Sequence, residues 1–154
     1  MPESRRFSGK PSASFHDAGK EHMMNYLLLK PNGVFEKIGA TEPTCSLSLL
    51  QKSVNGNVEV ISWIPELYDK GIDMWVNDEG KLLNLIPSLA IMDEKGKLID
   101  MIHGNVLFSR FNEDGDTLPL HDEDIDFIKE RMTKRTSGYF VKATDVKFEV
   151  SYDK

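Results

Sequence analysis

The chain has 154 residues, 40% hydrophobic and 29% charged, with a formal net charge of −6. This is the balance of one soluble globular domain that can bury a core without covalent staples. Cys45 is the only cysteine, which excludes a disulfide framework or a cysteine-based zinc site within one chain and makes a reducing, cytoplasmic setting the expected one.

Residues 1–23 are rich in Ser, Gly, Lys and Pro with only two Phe, too little apolar surface to offset the entropy of ordering, so a disordered arm is expected there. The join His22-Met23-Met24 reads as a cloning scar or an upstream start codon wrongly chosen, with Met24 the natural start. The opening "SRRFSGK" is followed by a polar stretch rather than an apolar signal segment, which speaks against export. No apolar run approaches the roughly 18 to 20 residues that span a bilayer.

From Asn25 to the C-terminus the reading is one α+β domain, a mostly antiparallel sheet of about five to seven strands with two helices packed on it. "YLLLK" (Tyr26 to Lys30) is predicted as a buried strand, "PNG" as a turn and "VFEKIGA" as a second extended piece. In "TCSLSLLQKSV" the spacing of Leu47, Leu50 and Val54 predicts an amphipathic helix stopped by Asn55-Gly56. "NVEVISW" alternates Val58, Val60 and Ser62 against Glu59, Ile61 and Trp63, the period of a strand with a buried face. "IPELYDKG" reads as a proline-bearing linker.

"IDMWV", the turn "NDEG" (Asn77 to Gly80) and "KLLNLI" together predict a hairpin. A second turn, "DEKG" (Asp93 to Gly96), separates "PSLAIM" from "KLIDMI", and "NVLFSRF" follows Gly104. A helix is expected from about Asp122 to Lys134, with Ile125, Ile128 and Met132 on one face and Ser137-Gly138 as its stop. The tail alternates Val146, Phe148, Val150 and Tyr152, so residues 136–154 read as a C-terminal β extension in which a final strand pairs with "YFVKA".

The stretch "FNEDGDTLPLHDEDIDF", Phe111 to Phe127, carries seven carboxylates and no base. Residues 1–23 have a net charge of +1 and the rest of the chain −7, so these seven acids hold the whole excess of the domain. Charge so confined is neither a nucleic-acid footprint, which needs clustered Lys/Arg, nor the extended surface of a DNA mimic. With Gly115 at position 6 of a calcium loop, position 1 would be Arg110 and position 12 His121, neither of which supplies the oxygen ligands that calcium needs. The stretch therefore divides into a hairpin turn, in which Asp-Gly supplies a positive φ, and a helix start whose acids complement the helix dipole. As a patch, Asp122, Glu123, Asp124 and Asp126 remain the candidate contact for a basic partner.

No Gly-x-Ser-x-Gly elbow and no phosphate-cradling loop is present. Cys45, with no histidine close in sequence, reads as a small core or cap residue. Trp63 and Trp75, inside strand patterns, read as core. His103 abuts Gly104 where a strand breaks; a single histidine in such a place is more often structural, but its imidazole can face a groove there and is a candidate for a ligand or catalytic role. No catalytic residue, metal ligand or cofactor is assigned. The candidate ligand-contacting or partner-contacting residues are Asn77, Asp78 and Glu79 of the turn, with Ser88, His103 and Asn105.

The pieces "MNYLLLKP", "LSLLQKSVNGNVEVI", "MWVNDEGKLLNLIPSLAI", "DMIHGNVLF" and "LHDEDIDFIKERM", in that order, resemble a family of small proteins of phages, prophages and plasmids in Gram-positive bacteria. The family is known as domain of unknown function 3846, and the resemblance covers about residues 24–132. Its pattern is a short strand, an "L-x-x-L-Q-x-x-V-x-G" helix, an "E-V" strand, a "V-N-E-x-G-K-L" hairpin followed by "L-P-x-N", an "I-x-G" strand break and a "T-D-E-D" helix start. Ser88-Leu89 departs from the Asn of that pattern, and His121 replaces the Thr, a poorer N-cap. The resemblance implies an accessory gene product of a mobile element, in the cytoplasm of a host bacterium. The expected function is a non-enzymatic binding protein that counters host defence by engaging a host protein or a small nucleotide signal, with homo-oligomerisation open. The alternatives are a small hydrolase using His103 with nearby acids and, least favoured by the charge balance, a regulator contacting nucleic acid.

Overall fold

A computed structural model describes residues 24–135 and 138–142. The expected arm at 1–23 and the final strand expected within 143–154 lie outside the described residues.

The elements follow one another as β1 (Asn25–Leu29), β2 (Phe35–Gly39), α1 (Leu47–Val54), β3 (Val58–Ile61), α2 (Pro65–Tyr68), β4 (Ile72–Asn77), β5 (Pro87–Met92), β6 (Leu98–His103), β7 (Val106–Phe111), β8 (Thr117–Leu118), α3 (Asp122–Arg131), β9 (Met132–Arg135) and β10 (Gly138–Lys142). The α+β class and the antiparallel bias are as expected from the sequence. The strands, however, divide between two sheets. One runs β2-β1-β7-β4-β3 with β8 beside β7, and the other runs β6-β5-β10-β9. The β10–β5 pairing is parallel and the remaining strand pairs are antiparallel.

The larger sheet is covered on both faces, which explains why every residue of β1 is buried. Leu27 and Leu29 join Met74, Val76, Val106 and Phe108 in a core shared with Leu89, Ile91, Ile102 and Val141 of the smaller sheet. Tyr26, Leu28 and Leu107 point the other way and pack against Leu50 of α1. The period-2 alternation of side chains thus feeds two apolar clusters from one strand. Each fully buried Leu contributes about 1.5–3 kcal/mol.

Helix α1 begins where Ser46 Oγ accepts from the Leu49 N–H at 3.1 Å. It stops at Asn55, whose left-handed φ of 65° is one a short amide side chain tolerates. Leu50 and Val54 point inward, but Leu47 is 59% exposed, so the apolar stripe is narrower than its spacing suggests. "IPEL" is not a linker, because Pro65 opens the single helical turn α2 and buries Leu67. A proline at the first helical position loses no backbone bond.

The hairpin expected at "NDEG" does not form. Chain continues from β4 into successive tight turns, in which Leu83 N–H donates to Glu79 O at 2.8 Å and Leu85 N–H to Gly80 O at 3.0 Å. Asn77 sets this course. Its Oδ1 accepts from the Glu79 N–H at 2.8 Å, and its Nδ2 donates to Val54 O at 3.1 Å and Asn55 O at 3.3 Å, the otherwise open carbonyls at the end of α1. The next strand, β5, therefore enters the other sheet. The "DEKG" hairpin forms as expected between β5 and β6, with Asp93 Oδ1 accepting from the Lys95 and Lys97 N–H groups at 2.8 Å.

The "NEDGD" turn likewise joins β7 to β8, with Gly115 at φ 86°. Asn112 Oδ1 accepts from the N–H groups of Asp114 and Asp116 at 3.0 and 2.9 Å. Helix α3 buries Ile125 and Ile128 in the shared core, but it ends at Arg131 rather than near Lys134. Met132 keeps its side chain buried while its backbone turns extended and pairs with Val141. Sheet hydrogen bonding outcompetes another helical turn there, and Ser137-Gly138 is not the stop of this helix.

A cleft between two sheet edges

The two sheets meet without closing on one side. Among the described residues β3 pairs only with β4 and β6 only with β5, and a cleft of about 600 Å³ lies between these two edges. Its floor is apolar, made by Ile61 and Val76 of the larger sheet and Met101 and Ile102 of the smaller. Trp63 lines the wall just beyond β3, so this indole is a cleft residue as well as a partner of the core. Trp75 is structural, donating from Nε1 to Ser109 Oγ at 2.9 Å.

Charge gathers at the rim. Glu59 comes from β3, Asp78 and Glu79 from the turn after β4, and Asp100 from β6. Among the described residues Lys81 is the one lining cation, and it ion-pairs with Asp100 at 2.7 Å. With His103 counted as neutral the described lining residues carry a formal charge of −3, four carboxylates against one ammonium.

His103, at the end of β6, also lines the cleft, with Nδ1 2.8 Å from the Leu85 carbonyl oxygen. In the neutral imidazole that acceptor favours the tautomer with the proton on Nδ1 and the lone pair on Nε2. Among the described residues no Ser, Thr, Cys or Tyr lines the cleft, so the groups there that could act as nucleophiles are its carboxylates, the Lys81 amine and the His103 imidazole.

The residues singled out from the sequence separate into two groups. Asn77, Asp78, Glu79 and His103 all line the cleft, although the Asn77 amide is already engaged by α1 and its own turn. Ser88 and Asn105 are not in it. Ser88 is buried and donates from Oγ to the Gly104 carbonyl, and Asn105 Nδ2 donates to Ser53 O at 3.0 Å, tying the β6–β7 connection to α1.

The acidic helix start is also divided. Asp122, Glu123 and Asp126 are exposed. Asp124 is buried, accepts from the His121 N–H at 2.9 Å and lies 3.9 Å from Arg110 Nε. It closes the first turn of α3 and is not part of a free surface.

Sequence reading missed Glu59, Trp63, Lys81 and Asp100. Two of them carried a usable signal. Glu59 shares the strand parity of Ile61, and Asp100 that of Ile102, so each puts a carboxylate on the core-facing side of its strand. A charge on that parity marks the place where the core opens.

A second polar set lies on the face toward α1. Asp73 sits opposite Ser109, and burial pushes its carboxyl up to about 6. The Tyr26 hydroxyl is buried without a well-formed hydrogen bond. Burial first, and then the Cys45 thiol, raise its ionisation above the ordinary phenol range. Burial likewise pushes the Cys45 thiol up, the opposite of an activated nucleophile. Cys45 packs against the α1-side cluster, as a small core residue would.

Among the described residues no group of three or more His, Cys, Asp or Glu side chains is placed to hold a metal ion. No helix among them is long and apolar enough to cross a membrane. Comparison with curated proteins and with solved structures found no match. The family model described as "Domain of unknown function (DUF3846)" matches residues 24–133, most of the chain and nearly all of the fold, and the chain belongs to that family.

Proposed function

We propose that this is a binding protein whose cleft receives a positively charged group, a Lys or Arg side chain of a partner protein. The observation that carries the reading is the lining itself, an apolar floor with an indole wall under four carboxylates and one ammonium. A guanidinium or ammonium on an apolar stem fits both parts, since the stem covers Ile61 and Met101 while the charge meets the rim. Trp63 adds a surface on which a cation can stack. A nucleotide is disfavoured by the same lining, because its phosphates would face a net negative rim. Of the two ligand classes expected from the sequence, the host protein is therefore preferred, in a cytoplasmic setting and in the service of a mobile element acting on its host. Nucleic acid is disfavoured on the same electrostatic ground.

A hydrolase using His103 is the second reading. It is supported by one observation, the Leu85 carbonyl favouring the Nδ1-protonated tautomer, in which Nε2 is available as a base.

The test is a Trp-fluorescence titration with N-acetyl-arginine methylamide on the parent and on the variant Glu59→Gln/Asp78→Asn/Glu79→Gln. Exposed charge pairs contribute about 0.2–1 kcal/mol each, so removing three should weaken binding by about tenfold. Equal affinity of parent and variant would refute the reading. Turnover of ester or phosphoester probes that is lost in His103→Gln would replace it with the hydrolase.

A further inference from the structure

We infer that the turn carrying Leu82, Leu83 and Ile86 is a docking surface for an extended segment of a partner protein in which basic residues alternate with apolar ones. The inference rests on the cation-binding reading of the cleft and extends it to the surface beside it. Leu82, Leu83 and Ile86 are 80%, 53% and 68% exposed, three large apolar side chains within five residues. Single exposed apolar residues are ordinary, whereas a contiguous group marks a contact surface.

The turn is not loose. Leu83, Asn84 and Leu85 donate backbone hydrogen bonds of 2.8 to 3.0 Å to Glu79, Lys81 and Gly80. Leu85 turns inward against Gly104, and its carbonyl holds His103. One leucine thus anchors the turn while its neighbours Leu82, Leu83 and Ile86 face outward from a hydrogen-bonded backbone.

The class of partner follows from what adjoins the turn. Leu82 also lines the cleft, which makes the apolar surface continuous with the acidic one. The cleft runs between β3 and β6, each paired on one side only among the described residues. An extended chain laid there can bond a free edge through its backbone while alternate side chains face the cleft and the turn. An anionic membrane fits less well, because Glu59, Asp78 and Glu79 stand beside the apolar turn.

The experiment compares two synthetic heptapeptides by calorimetry. One alternates two lysines with three leucines between terminal serines, and the other replaces those leucines with serine. The parent should bind the leucine peptide about tenfold more tightly, and the variant Leu83→Ser/Ile86→Ser, changed at exposed residues outside the cleft lining, should lose that preference while binding the serine peptide as the parent does. Equal affinity of the parent for both peptides, or a variant that keeps the preference, overturns the docking surface and leaves the cation reading standing. If neither peptide binds the parent, both fall together. Binding of phosphatidylserine vesicles that is lost in the same variant would instead assign the surface to a membrane.

Discussion

Gly80 lies so close to the His103 carbonyl oxygen that a β-carbon at position 80 would collide with it. The contact joins the turn after β4, in one sheet, to the end of β6, in the other, and both residues line the cleft. Because the obstacle is backbone, it cannot move aside like a side chain. Gly80→Ala should therefore cost about 1–3 kcal/mol of stability, read as a lower urea midpoint at unchanged slope. It should also displace the His103 imidazole resonances. A variant as stable as the parent would mean that the two sheets are free to separate at this point.

Asp73 gives a pH dependence with a defined sign. Its folded-state pKa of about 6 lies above the ordinary carboxyl value because burial disfavours the charge. Between about pH 4 and 6 the folded chain holds this proton more tightly than the unfolded chain does. The stability associated with it is fully present below that window, is lost as pH rises through it and stays lost above. Asp73→Asn should thus stabilise the protein at pH 7.5 by on the order of 1 kcal/mol, discounted for the solvent that still reaches the group. The gain should vanish below about pH 4. Urea unfolding at the two pH values checks this, and a gain of equal size at both would contradict it.

The acidic start of α3 separates structure from surface. Asp124→Ala removes the carboxylate that accepts from the His121 N–H and should cost about 0.5–2 kcal/mol. Asp122→Asn, Glu123→Gln and Asp126→Asn, all at exposed positions, should each change stability by no more than about 0.5 kcal/mol. Thermal unfolding of the four single variants distinguishes the two groups. Four equal effects would return Asp124 to the surface patch.

Local chemistry in the sequence was a good guide to local structure. The Asn55-Gly56 stop, the "DEKG" hairpin and the "NEDGD" turn each depend on a few adjacent residues and formed where their residues indicated. The "NDEG" turn misled because Asn77 has a partner outside its neighbourhood, the end of α1. That contact diverts the chain out of the hairpin path, and the run "KLLNLI" winds through turns instead of pairing. The division into two sheets and the parallel β10–β5 ladder were illegible for the same reason, since each is decided between segments far apart in the chain.

The candidate site was half legible. Asp78, Glu79 and His103 were found because a turn and a strand break draw attention. Glu59 and Asp100 stood in ordinary strand patterns, and only the fold brings their charges together. Asp124 belongs by sequence to the acidic patch of α3, but its carboxylate faces the His121 N–H.

The claim that the cleft takes a cation is tested most directly by residue-resolved chemical-shift mapping of the 15N-labelled protein, titrated in parallel with N-acetyl-arginine methylamide and adenosine monophosphate at low salt. The account predicts saturable shifts with the arginine probe at residues 78–82 and 100–103, weakened by salt, and none there with the nucleotide. Shifts at those residues with the nucleotide but not with the arginine probe would contradict it.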